Sequence, residues 1–180
     1  RHQLMQSSAI YGKIGQSFRI STVDESYSQF GGPVFDAIVT LLEPQISRDH
    51  EVGFEYKSQT RRLRVSAFLN DIRNEIHFFA PTFSNINLPP TRRKGLELDG
   101  SMSLSSSLSV FANLTALDAR FRDGVVRGAD VRRKSIPLVP REIANLGASW
   151  NVSASTWLGV SVTHVGKQRY DNDQTNTFPG

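Results

Sequence analysis

The chain has 180 residues, 38% of them hydrophobic and 21% charged, a balance typical of folded material rather than disorder. No apolar run approaches the roughly 18 residues of a spanning helix, so any crossing of a bilayer must be made by strands, and with no cysteine neither a disulfide framework nor a thiolate metal site can form. The net charge of +4 raises nucleic-acid binding; however, the cations fall in separated triplets beside predicted strand ends, with no zinc finger, helix-turn-helix or RNP-like strand, and nucleic acid is not an expected partner.

In chain order, residues 8–18 form the first predicted strand, with Ile10, Ile14 and Phe18 on one face and Tyr11, Lys13 and Ser17 on the other. Residues 19–48 are too long and too broken by glycine and proline for a hairpin turn; within them residues 35–42 are a short strand or a helical turn. Residues 50–57 alternate again, Val52, Phe54 and Tyr56 against Glu51, Gly53 and Glu55. Residues 58–61 turn the chain into a strand from Leu63 past Asn70, in which Phe68 falls on the polar face as an exception. Residues 77–91, HFFAPTFSNINLPPT, are a loop rich in aromatics and amides.

The clearest alternation lies in residues 92–121. Leu96, Leu98, Met102 and Leu104 face away from Glu97, Asp99, Ser101 and Ser103. Ser105, Ser106 and Ser107 reverse the chain, and Leu108, Val110, Ala112, Leu114 and Ala116 resume the apolar face, with Phe111 a second exception. A charged loop fills residues 122–140. A last hairpin sets Ala144, Leu146, Ala148 and Trp150 against Leu158, Val160 and Val162 across residues 151–155, and leads into the terminal loop YDNDQTNTFPG.

Seven strands result, and short links of about four residues alternate with long ones of about fifteen to thirty, as the periplasmic turns and extracellular loops of an outer-membrane barrel do. Trp150 and Trp157 flank one short turn and Tyr56 adjoins another, where an aromatic girdle at the bilayer boundary would lie. The triplets Arg61-Arg62 with Arg64, Arg92-Arg93-Lys94 and Arg132-Arg133-Lys134 suit an interface where cations meet lipid phosphates. Alternation alone does not name the apolar medium. A soluble or surface-exposed antiparallel β module for ligand binding or adhesion, its apolar faces packed on each other, is the competing reading.

The segments AIYGKIGQSFRISTVDESY, LEPQISRDHEVGFEYK with its Glu43-Pro44-Gln45, RLRVSAFLNDIRNEIHF, NINLPPTRRKGLELDGSMSLSSSLSVFANLTALDARF, IPLVPREIANLGASW and VSVTHVGKQRYDND resemble, in order, barrel strands of TonB-dependent outer-membrane receptors. The resemblance implies an all-β, antiparallel up-and-down meander of about seven strands from a larger transmembrane β-barrel of about twenty-two strands around a plug. Residues 1–180 would be a single segment of that barrel, without plug domain or last strands. The implied function is TonB-dependent uptake, in the bacterial outer membrane, of a ferric siderophore or similar metal chelate, with cobalamin or haem as alternative cargo. Implied partners are the plug, the TonB-type energy transducer through a segment not present here, and outer-membrane lipid or lipopolysaccharide.

Capture would fall to aromatic and polar loop residues: Tyr27, Phe30, Phe78, Phe79, Phe83, Asn85, Asn87, Arg127, Arg132 and Arg133. Aromatics cover planar ligand surface, and arginine offers a fixed fork to anionic oxygens. No cofactor is expected and no enzyme: His2, His50, His77 and His164 are widely spaced, and no Gly-x-Ser-x-Gly elbow occurs. Asp171, Asn172, Asp173 and Asn176 offer oxygen ligands suited to calcium, but Asp-Asn-Asp is also an ordinary turn sequence.

Overall fold

The computed structural model describes residues 1–28, 38–39 and 41–179. In chain order the elements are β1 (His2–Met5), β2 (Ser8–Arg19), the single turn α1 (Val23–Ser26), β3 (Tyr27–Ser28), β4 (Ile38–Val39), β5 (Gln45–Lys57) and β6 (Arg61–Arg73). They continue with β7 (Glu75–Phe79), a 3₁₀ turn (Ala80–Thr82), β8 (Ser84–Leu88), β9 (Thr91–Ser103), β10 (Leu108–Phe121), β11 (Val125–Val126), β12 (Ala129–Asp130), β13 (Glu142–Ser153) and β14 (Thr156–Val165). Eight of them form one antiparallel sheet in the order β1-β2-β5-β6-β9-β10-β13-β14, an up-and-down meander. The seven strands predicted from alternation are all present. The eighth, β1, is four residues long, too short to show a period.

Register explains why the alternation was so legible. One row across the sheet joins Gly12, Val52, Ala67, Leu96 and Ala116. The next joins Ile10, Phe54, Val65, Leu98, Leu114 and Ala144. The apolar positions therefore merge into one continuous face, and nothing among the described residues covers it: Leu96, Leu146 and Leu158 are 59%, 52% and 57% exposed. A sheet that packed on a soluble core would bury these side chains, so the self-packed module is overturned. Among the described residues no helix is long and apolar enough to cross a membrane.

The links alternate in length as expected. Short ones at residues 6–7, 58–60, 104–107 and 154–155 share one end of the sheet, and long ones at 20–44, 74–90 and 122–141 share the other. The long-link end is more ordered than the sequence suggested. Residues 77–91, expected as loop, contain most of the β7/β8 hairpin. Residues 38–39 of the undecided stretch 35–42 pair with β3, while 35–37 and 40 lie outside the described residues.

A small dry cluster sits under the loop after β10, where Leu88, Ala119, Phe121, Val126, Val131 and Ile136 pack together. Backbone bonds from Phe121 N to Lys134 O (3.0 Å), Arg133 N to Phe121 O (3.0 Å) and Ile136 N to Ala119 O (3.1 Å) lay that loop alongside the end of β10. The charge in this loop hid its apolar anchors.

Candidate functional site

At the long-loop end the ten candidate ligand contacts separate by what their side chains already do. Phe78 and Phe83 are 48% and 55% exposed; Phe83 takes a left-handed backbone conformation (φ 49°) and its amide closes the 3₁₀ turn on Ala80 O. Phe79, next to Phe78 in an alternating strand, points the opposite way and is buried, with the Arg127 guanidinium 5.8 Å from its ring centroid. It can offer no face to a ligand in this conformation.

Asn85 donates to Glu25 O (3.0 Å). Asn87 donates to Glu43 O (3.0 Å) and Asn74 O (2.9 Å) and accepts from Glu43 N (2.8 Å), tying the segment before β5 to the β7/β8 hairpin. These amides hold loops together. Asn87→Ala removes three such bonds, each contributing about 1 kcal/mol, so faster limited proteolysis of the residue 41–44 segment, with the barrel still folded, is the expected outcome.

Arg132 and Arg133 are exposed on the loop after β12; the Arg132 amide donates to Asp130 Oδ1 (2.8 Å) and the Arg133 carbonyl accepts from Arg120 Nη1 (3.2 Å). Tyr27 lies in β3 opposite Val39, and Phe30 lies outside the described residues. The neighbouring turn is fixed by charge: the Arg19 guanidinium, 2.8 Å from both Glu25 oxygens, holds that carboxyl below the ordinary range, assisted by the Thr22 amide.

In the oxygen-rich terminal loop, Asp173 and Asn176 are committed elsewhere. The Asp173 carboxylate accepts from the Thr177 and Phe178 amides (2.8 and 3.2 Å), and the Asn176 side chain both donates to and accepts from the Ser135 backbone (2.9 and 2.6 Å). Asp-Asn-Asp thus serves as a turn that pins the terminal loop to its neighbour. No group of three or more His, Cys, Asp or Glu side chains placed to hold a metal occurs among the described residues.

The face opposite the apolar one carries a second constellation, which the sequence did not single out. Tyr11 Oη donates to Glu51 Oε1 (2.6 Å), Arg64 Nη2 donates to the same oxygen (2.7 Å) and Arg64 Nε to Tyr11 Oη (2.9 Å), with the guanidinium 5.2 Å from the tyrosine ring centroid. The three side chains come from three neighbouring strands, β2, β5 and β6, so only register could reveal the cluster. Nearer the long loops, Arg93 reaches Glu75 (2.6 Å), whose other oxygen accepts from the fully buried Thr91 hydroxyl (3.0 Å).

The two aromatic exceptions also find their reason on this face. Phe68 lies directly across from Gly95, Phe111 across from Gly147, and Tyr11 across from Gly53. In each pair the ring occupies the space a Cβ on the glycine would need. Rings laid on a neighbouring glycine shelter apolar surface on an otherwise polar face. Trp157 belongs here too: register puts it on the inward face, over Gly159, while Trp150 faces outward with Leu108 and Leu158. Of the three expected girdle residues, Tyr56 and Trp150 therefore share the apolar face and Trp157 does not.

The wall, its uncovered apolar face, its polar inward face and its long loops at one end can be set beside known proteins. The family model described as TonB dependent receptor-like, beta-barrel matches residues 1–180. A ferrioxamine receptor of Yersinia enterocolitica is 30% identical over 159 residues, which cover 86% of this chain and 22% of that protein. Among solved structures, the ferric yersiniabactin uptake receptor FyuA from Yersinia pestis superposes with a TM-score of 0.71 at 15% identity, over 96% of this chain and 26% of that one. The siderophore receptor PiuA from Acinetobacter baumannii gives 0.64 at 15% identity, over 91% and 24%. The chain thus spans about a quarter of the length of these relatives. It belongs to the TonB-dependent receptor β-barrel family, and its sheet is a wall of the Gram-negative outer membrane.

Proposed function

We propose that this wall serves a receptor that captures a ferric siderophore at its long-loop end and imports it with energy supplied through a TonB-type transducer. The supporting observation is the 30% identity with a ferrioxamine receptor across 86% of the chain. In this reading residues 1–180 are one segment of the barrel, a plug domain rests against the inward face, and the transducer engages a part of the protein outside this segment. Phe78, Phe83, Arg132 and Arg133, whose side chains reach solvent at the loop end, are the contacts to the chelate. Arg127 shares the 122–141 link with Arg132 and Arg133, Tyr27 belongs to the neighbouring 20–44 link, Phe30 is retained as a candidate from sequence, and Asn85, Asn87 and Phe79 shape the site from behind.

The test is growth of a receptor-deficient strain carrying the intact receptor, with a ferric hydroxamate, a ferric catecholate, haem or cobalamin as the nutrient. Growth on the hydroxamate alone is expected. Phe78→Ala with Arg132→Ala should then weaken binding of that chelate about tenfold, a loss of about 1.4 kcal/mol, measured by fluorescence quenching. Growth restored only by haem or cobalamin would replace the proposed substrate.

A further inference from the structure

Three buried side-chain polar atoms lack a hydrogen-bond partner among the described residues: His77 Nε2 on β7, and Asn172 Oδ1 and Gln174 Nε2 in the terminal loop. They flank one junction, because Asp171, the residue before Asn172, brings its Oδ1 to 4.0 Å from His77 Nε2. That separation is too long for a hydrogen bond. Among the described residues it is also the only polar contact between the terminal loop, residues 166–179, and strands β7 and β8. On its other side the loop is well tied, for Asn176 bonds the Ser135 backbone and Leu138 N donates to Arg169 O (3.1 Å). The loop is therefore fixed to the 122–141 link and unfastened on the β7/β8 hairpin.

Alternation puts Glu75, His77 and Phe79 on one face of β7, and register sets Ile86 opposite His77 and Leu88 opposite Glu75. This face meets the dry cluster under the loop after β10, which contains Leu88 and has Ile86 packed against it. An unpaired imidazole nitrogen recovers nothing there for the water it has lost. The charged groups around His77 are otherwise engaged. On its own strand Glu75 is taken by Arg93 and Thr91, and from the 122–141 link Arg127 lies over the Phe79 ring, two residues along. In the terminal loop Asp173 holds the Thr177 and Phe178 amides, and Arg169 donates to the Phe178 carbonyl. Asp171 alone in this set has a carboxylate with no hydrogen bond of its own.

We propose that a proton on His77 fastens this junction: Nε2–H donates to Asp171 Oδ1, and the terminal loop closes on the β7/β8 hairpin. Histidine is the side chain that ordinarily changes charge between about pH 5 and 8. A neutral ring offers at best an uncharged donor, whereas the imidazolium makes a charge-assisted bond of roughly twice the strength. Arg127 on the same face opposes the added charge, so the gain depends on Asp171. Since the charged ring is the form that gains a partner, closure is favoured in mild acid and lost as the pH rises to 8. That this tightening regulates chelate capture rests on the function proposed above; the closure itself does not.

The experiment follows amide hydrogen exchange in the intact receptor in micelles, without chelate, at pH 5.5 and pH 8.0, with labelling times scaled for the pH dependence of chemical exchange. In wild type, peptides covering residues 168–177 and 75–88 should exchange roughly two- to fivefold more slowly at pH 5.5, the range of a partly exposed ion pair. H77Q and D171N should each abolish that difference. Folding is checked by heat-modifiable gel migration, and D171N, at a half-exposed side chain, remains informative if H77Q fails to fold. H164Q is the control: His164 also approaches a carboxylate, Glu142 at 3.6 Å, but on the wall, and its loss should leave the pH difference intact. The proposal is overturned if wild type is equally protected at both pH values, if the difference survives in folded H77Q or in D171N, or if H164Q removes it as well. Because no chelate is present, failure of the substrate assignment would leave this result standing, and the reverse.

Discussion

Gly95→Val is expected to stop the barrel from folding. A Cβ at position 95 would collide with the Ala116 carbonyl oxygen on the next strand and would meet the Phe68 ring 2.8 Å away. A ring can swing aside. A carbonyl in the β9/β10 ladder cannot move without breaking pairing, so the overpacking cost, about 1–3 kcal/mol where neighbours can relax, is a lower bound here. Heat-modifiable migration in gels and the urea midpoint in micelles report the loss. Gly15→Val is the control, because nothing lies within 4 Å of its Cβ position. Combining Gly95→Val with Phe68→Ala separates the two obstacles: if the carbonyl dominates, removing the ring restores little. Full recovery in the double variant would mean that the ring, not the ladder, sets the constraint.

Leu98→Arg is the second large effect. Leu98 lies between Val65 and Leu114 in an outward-facing row, two residues below the row that begins the apolar band. An arginine in the lipid-facing middle of a barrel costs about 2–4 kcal/mol. Ser101→Arg, on the inward face of the same strand, should cost far less because its side chain enters water. Equilibrium unfolding in vesicles gives both numbers. Equal losses at the two positions would be incompatible with lipid on one side and water on the other.

What the sequence disclosed follows from this same asymmetry. A wall with hydrocarbon on one face and water on the other needs strict alternation, so residues 92–121 and 144–162 could be recognised without any neighbour. Phe68 and Phe111 broke the pattern because their reason lies in register: each covers a glycine on another strand, which a reading along one strand cannot see. Trp157 was misplaced for the same cause, being one residue out of phase with Leu158. In the loops, residue type carried less information. Asn85 and Asn87 have the chemistry of ligand contacts, yet the same donors and acceptors close loops, and only geometry shows Asn87 committed to Glu43 and Asn74. Arg92-Arg93-Lys94 looked like one cluster because adjacency in sequence was taken for adjacency in space. Across a strand it means opposite sides of the membrane wall.

The rings that occupy the space beside these glycines also bear on clearance. Tyr11, Phe68 and Phe111 each bridge two strands whose connection is a long excursion, at the junctions β2/β5, β6/β9 and β10/β13. A side chain standing upright there would project into the bore, whereas one lying on a bare backbone adds adhesion and almost no thickness. The inward face can thus be stitched at its least tethered seams with little relief added to its surface.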